Sequence, residues 1–299
     1  MPKTPLFALA LSVALLTSTT LALPAPAKPA IADDQISGVG EFWLGHVFLS
    51  EGTPVTFVDD DSYLALGGDF RLNIPAGGAT SFQLDLMSET GFVDNSNDNY
   101  TGSVLGGVHF SWRDPSEYLL GGFIGAGNGF NADDDTVTAW LLGVEGQYYL
   151  VDWTLYGQLG FMDGNEVGPG ANEAFRDAWF GRAVGRYYLD ANSKLEGELS
   201  YANGENDTDA DDMDVWGWGL RYERALSSMN SSVFLAYEGN YYASDEPPAG
   251  DDELTEHVIK LGLSVAFGIQ GQKYIDHHGA TLDLPMVTRW AAYGPDVLD

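Results

Sequence analysis

The sequence predicts an all-β chain folded as a single antiparallel up-and-down transmembrane β-barrel of twelve strands. Three observations predict it. Stretches of about ten residues alternate apolar and polar side chains, the period of a strand with one greasy face and one wet face. The gaps between these stretches are in turn very short and long and acidic. Aromatic residues gather at both ends of the stretches.

The chain has 299 residues, and residues 1–32 stand apart from the fold. Lys3 supplies a positive start, Leu6–Leu16 is a short apolar run, and Ala30-Ile31-Ala32 has the small-x-small form of a cleavage site. A cleaved signal peptide is expected there. No later stretch is continuously apolar over the roughly 18 residues a spanning helix needs. An exported chain of this kind that enters a membrane must do so as a closed barrel, because only helices and barrels satisfy their backbone groups in lipid. There are no cysteines, which removes disulfide staples and thiolate metal sites.

The strands are expected at 39–49, 62–74, 80–88, 101–112, 117–127, 136–149, 153–162, 178–189, 194–203, 214–224, 232–243 and 256–267. The second shows the pattern clearly. Leu64, Leu66, Phe70, Leu72 and Ile74 share one parity, while Asp69, Arg71 and Asn73 share the other. The first is ambiguous, because Phe42, Leu44 and Phe48 compete with Trp43, Val47 and Leu49 for the apolar face. Short connections (Pro75–Ala79, Arg113–Ser116, Val151-Asp152, Asp190–Ser193, Ala225–Ser231) take turns with long ones such as Ser50–Asp61, Asp163–Asp177 and Asn203–Met213. Short periplasmic turns and long external loops are the usual asymmetry of bacterial barrels.

The long connections carry the acid: Asp59-Asp60-Asp61, Asp133-Asp134-Asp135, Asp207–Asp214 and Asp245–Glu256. Removing Lys3 and Lys28 with the leader takes the formal net charge from −31 to −33. Such a surface repels nucleic acid and collects cations. One set of aromatics (Trp112, Tyr118, Tyr148, Trp153, Tyr187, Phe267) lies near the short turns. A second (Tyr63, Trp140, Phe161, Trp179, Trp216, Tyr241) lies near the long loops. These predict girdles at the two membrane interfaces.

On these features the chain resembles the porin-like outer-membrane β-barrels of Gram-negative bacteria over about residues 37–268. In the last strand Ile259, Leu261, Leu263, Val265 and Phe267 alternate to an aromatic end, which resembles the signal read by the barrel-insertion machinery. The resemblance implies an outer-membrane location. It also implies contact with outer-membrane lipid and lipopolysaccharide, and passage of small polar solutes or ions. The chain departs from the family in carrying a further tail, residues 269–299, expected on the periplasmic side. That tail can plug the lumen, bind a partner or stay loose, as termini commonly do.

Opposition to the greasy face assigns the lumen. Its charged residues are Asp69, Arg71, Asp85, Glu145, Arg182, Arg186, Glu196, Glu198, Arg221, Glu223, Glu238 and Lys260. Charges facing lipid near mid-membrane cost a few kcal/mol each, so inward is the consistent placement. Arg182 and Arg186 are expected to face Glu196 and Glu198, and these to face Arg221 and Glu223, as an Arg/Glu charge ladder. A ladder of this kind lines a selective conduit or bridges a lumen shut. A barrel of twelve strands lies between the filled and the open cases. Acidic external loops would favour cations over anions.

Enzymatic chemistry finds little footing. His109 and Ser111 form a His-x-Ser pair, but Val104, Val108, Phe110 and Trp112 claim the lipid face and turn both inward. No acid near them in sequence orients His109, so no catalytic residues are assigned. His257 beside Asp251, Asp252, Glu253 and Glu256 is the alternative site, for a surface hydrolase at the rim. Asp207, Asp209 and Asp211 alternate like a calcium loop but lack its glycine and its final bidentate acid. Loop-bound Ca2+ is the one cofactor the sequence suggests. The expected function is an outer-membrane porin or channel-like protein. A non-conducting structural barrel whose acidic loops bind cations or a partner is the alternative.

Overall fold

The computed structural model describes residues 35–51, 62–92, 100–130, 136–166, 174–206, 212–226, 230–246, 250–269 and 271–291. Twelve strands form one closed antiparallel barrel. They are β1 (Ser37–Glu51), β2 (Ser62–Gly77), β3 (Thr80–Phe92), β4 (Tyr100–Asp114), β5 (Tyr118–Phe130), β6 (Thr136–Tyr149), β7 (Trp153–Glu166), β8 (Phe175–Asp190), β9 (Ser193–Asn206), β10 (Asp212–Ala225), β11 (Ser231–Glu246) and β12 (Gly250–Phe267). Each pairs with its sequence neighbours, and β1 closes on β12 from Gly38↔Phe267 to Glu51↔Leu254. Closure leaves no free edge, which is what lipid demands.

Most strands run past their expected ends toward the long loops. β3 continues to Phe92, β7 to Glu166, and β12 begins at Gly250 rather than at 256. Hydrophobic alternation stops where the wall leaves the lipid, but ladder hydrogen bonds continue, as in Glu246↔Gly250. The expected signal peptide, most of the long connections and the candidate calcium residues Asp207, Asp209 and Asp211 lie outside the described residues.

The outer face carries an exposed apolar belt around the barrel, including Phe42, Leu66, Leu86, Ile124, Leu142, Leu159, Leu199, Leu220, Leu235 and Leu261. A continuous exposed apolar surface of this kind is a membrane-facing surface. The girdles form as pairs: Trp112 with Tyr118 and Trp153 with Tyr187 toward the short turns, Trp140 with Phe161 and Trp179 with Tyr201 toward the long loops. Tyr63 is an exception. It faces inward, 4% exposed, and belongs to the core. In β1 the ambiguity resolves with Phe42, Leu44 and Phe48 outside and Val47 and Leu49 in the core, while Trp43 packs against that core.

The core of this molecule is inside the barrel. After β12 the chain reverses at Gly268 (φ 83°) and Gly271 (φ 92°), forms α1 (Gln272–His278), runs without regular structure over 279–286 and ends in a helical turn at 287–291. This segment threads the lumen. Near the short turns Leu282 packs with Leu119, Tyr149, Tyr156 and Val184. Toward the long loops Leu284, Val287, Trp290 and Ala291 fill an apolar ring. Leu105, Leu141, Met162, Phe180, Met213, Tyr242 and Leu254 belong to that ring. Of the three placements the sequence left open for the tail, its described residues 271–291 take the one inside the barrel.

Candidate functional site

The site is the lumen wall and what remains open beside the tail. A cavity of about 210 Å3 lies between the tail and the inner faces of β8–β12, β1, β2 and β3, room for on the order of ten waters. Ten of the twelve sequence-predicted lining residues border it, while Glu145 and Glu223 are buried outside it.

Arg182 grips Glu198 with two hydrogen bonds (Nε–Oε1 2.7 Å, Nη2–Oε2 2.6 Å), and Arg186 Nε donates to Glu196 at 2.7 Å. The expected next rung does not form. Arg221, though it stands opposite Glu196 in register, reaches across to Glu41 on β1 (2.7 and 2.8 Å) and to Glu223 (3.0 Å). Glu41 also meets Arg71 at 3.3 Å, and Arg71 donates to Asp69 at 2.8 Å. Glu238 accepts from Lys260 at 2.5 Å, and that ammonium lies 4.3 Å from the Trp43 ring centroid. Because β1 had no legible parity, sequence reasoning missed Glu41, the acid that joins two arginines.

On β8, β9, β11 and β12 the carboxylate is the more exposed partner, whereas at Glu41 the order reverses, with Arg71 16% and Arg221 17% exposed against 7% for the acid. Glu238 is 41% exposed, Glu198 29% and Asp283 22%, whereas Arg182 and Lys260 are 7% and Arg186 is 4%. Glu198, Glu238 and Asp283 thus stand forward of Arg182, Arg186 and Lys260, while Arg71 and Arg221 stand forward of Glu41.

The other half of the wall is spent on the tail. Gln83 binds both backbone groups of Leu282: its Nε2 donates to the carbonyl (2.6 Å) and its Oε1 accepts from the N–H (3.2 Å). Gln158 and Tyr156 donate to the Asp283 carbonyl (2.8 and 3.3 Å), and Gln147 donates to the Thr281 hydroxyl (3.1 Å). Arg186 reaches Asp276 (3.3 Å) and Arg182 reaches Asp283 (2.6 Å). Arg289 clamps Glu89 on β3 (3.1 Å to each oxygen) and Glu256 on β12. Neither Asp276, Asp283 nor Arg289 carries a local signal, since a lone charge in a tail has no period to reveal its face. The inward glycines were the available clue. A Cβ on Gly107 would lie 2.6 Å from Leu284 Cδ1, and one on Gly125 3.2 Å from it. These glycines vacate the space that the tail fills.

His109 has the orienting acids that its sequence neighbourhood lacks. Nδ1 lies 2.8 Å from Glu145 Oε1 and Nε2 3.1 Å from Asp85 Oδ2, all fully buried. Glu145 reaches it from β6 across Gly121 of β5 and also accepts from Tyr156 (2.8 Å) and Gln158 (3.2 Å). Both ring nitrogens are occupied by carboxylates, and Ser111 pairs with Ser81 at 3.0 Å instead. The His-x-Ser pair is therefore not assembled as a nucleophile and base. At the rim, Glu256 points into the lumen while His257 faces outward against Tyr237 and Trp218. Neighbours in sequence, they do not form an acid–histidine pair. Among the described residues no group of three or more acids and histidines is placed to hold a metal ion.

No protein-family model matches the chain, and no curated protein matches it in sequence. Its fold does match solved structures. An outer membrane channel from Pseudomonas putida F1 superposes with a TM-score of 0.54 at 12% identity, over 82% of this chain and 100% of that one. The Pseudomonas putida toluene transporter TodX follows at 0.42 and 8%, over 82% and 90% of the two chains. The KdgM porin, solved with oligogalacturonate, gives 0.40 and 11%, over 76% and 99%. The architecture is that of bacterial outer-membrane β-barrels.

Proposed function

We propose that the protein is an outer-membrane channel for small polar solutes or ions, with a preference for cations. The observation that carries this reading is the set of carboxylates open to the cavity. Glu198, Glu238 and Asp283 are more exposed than the Arg182 and Lys260 they pair with, and would add negative potential where a solute passes. The Arg–Glu pairs hold the acids in place, so their field is preorganised. Sequence likeness to the channels of similar fold is too slight to transfer their solutes.

A second reading is favoured by the apolar ring. Leu284, Val287 and Trp290 pack into the long-loop half of the lumen, as expected of a non-conducting structural barrel. Planar-bilayer recording separates the two. Discrete current steps, with a reversal potential of cationic sign in a salt gradient, support the channel. Steps with clear anion preference overturn the cation reading. A folded barrel that stays silent even when tail contacts are weakened supports the structural one.

A further inference from the structure

We infer that the C-terminal segment 271–291 is a displaceable gate, hinged at Gly268 and Gly271, whose docking closes the lumen. This rests on the channel reading and names the state in which that channel is shut.

The segment is not part of the wall. The barrel closes through β1 and β12 without it, and its contacts with the strands run mainly through side chains. The reversal that sends it inward depends on two left-handed glycines. A Cβ on Gly268 would lie 2.3 Å from the Ile36 carbonyl oxygen, so that turn admits only glycine.

The wall is electrically complete without the tail's acids. If Asp276 and Asp283 leave, Arg186 keeps Glu196 and Arg182 keeps Glu198 and Gln158. Neither Arg182 nor Arg186 is stranded, which is the usual penalty for breaking a buried pair, although Arg113 gives up its bond to the Gly279 carbonyl. If Arg289 leaves, Glu89 and Glu256 are bared toward the long-loop end, adding negative charge to the opened passage. The seam is also imperfect. Ser37 Oγ, Asn73 Oδ1, both amide atoms of Gln272, Thr288 Oγ1 and two of the three Arg113 side-chain nitrogens are buried without a hydrogen-bond partner. Each such group costs docking free energy that undocking into water restores. The tail is thus held by apolar burial, by the Arg289 clamp and by ion pairs whose arginines keep strand partners, against a barrel whose backbone closes without it.

The test uses the full-length mature chain, whose lack of cysteine gives a clean background. A Gln147→Cys/Thr281→Cys variant places two thiols where wall and tail side chains meet at 3.1 Å. A short bis(methanethiosulfonate) reagent, which forms a disulfide with each thiol and releases methanesulfinate, would tether the tail in place reversibly. Planar-bilayer current is recorded bridged and after reduction, alongside an Asp276→Asn/Asp283→Asn variant. The gate predicts that bridging abolishes current and reduction restores it. It also predicts that the double variant raises open time about tenfold, the arginines keeping their strand partners. Equal current before and after reduction overturns the gate and leaves the channel standing. Silence in every folded form, reduced and double variant included, overturns the channel reading itself. Should the double variant fail to fold, the bridge alone decides.

Discussion

Replacing Leu284 by alanine probes what holds the tail in the barrel. Leu284 is 1% exposed and packs where Gly107 and Gly125 present no side chains. Backbone lines that part of the wall, so little can collapse into the space a truncation leaves. Leu→Ala changes in unyielding cores cost about 3 to 5 kcal/mol, and the lower figure suits a segment moving into lumen water rather than unfolding. Since 1.4 kcal/mol is tenfold, the undocked population should rise about a hundredfold. Trypsin reads this directly. Arg289 is buried and clamped by Glu89 and Glu256 when docked, so cleavage after it requires release of the tail. With opening and reclosing fast relative to cleavage, the rate after Arg289 follows that population and rises about a hundredfold in Leu284→Ala. An unchanged rate in a folded barrel would refute the claim that apolar burial of the tail holds it in place.

Four further outcomes follow from the same geometry. Burial pushes the His277 imidazole down from 6.5 to about 4, with Lys273 and His278 adding to that and Asp276 opposing it. The docked tail therefore binds a proton less readily than the free one. Docking is strongest above about pH 6.5 and weakens as pH falls toward 4. Between pH 7 and 5 the protection of the tail amides against hydrogen exchange, taken relative to intrinsic rates, should fall about tenfold more than that of the strands, and His277→Gln should abolish the difference. Glu145→Gln removes the charge and one of the two acceptor oxygens shared by His109, Tyr156 and Gln158, and should cost about 2 to 3 kcal/mol in a urea refolding series; no loss would show that the network is not structural. Gly268→Ala should leave the barrel folded but misdirect the tail, read as rapid tryptic cleavage after Arg289. Glu198→Gln with Glu238→Gln should move the reversal potential toward zero, and an unmoved potential would place the selectivity elsewhere.

The strands were legible because lipid imposes a period of two on every one of them. Where both faces are apolar that signal fails. Trp43, Val47 and Leu49 point into an apolar part of the lumen, which blurred β1 and hid Glu41. Tyr63 read as girdle for the same reason. The ionic lining was legible by exclusion, since charge cannot face lipid. Its pairing was not, because Arg221 chooses Glu41 across the lumen over Glu196 beside it, and reach across a barrel has no sequence spacing. His109 shows the same limit: Asp85 and Glu145 are 24 and 36 residues away and meet it only through closure. The tail's place was hidden because its partners lie on nearly every strand.

The most direct test of the central claim, a lumen closed on one side by the chain's own tail and lined by acid on the other, compares two single cysteines. Gly219→Cys stands on the open wall, where a Cβ meets only ordinary contacts with Glu198 and Glu238. Ala139→Cys stands in the apolar ring, fully buried. A small, cationic, membrane-impermeant thiol reagent is expected to modify the first quickly and leave the second untouched. Equal reaction at both sites would mean an open lumen with an undocked tail, and would contradict the account.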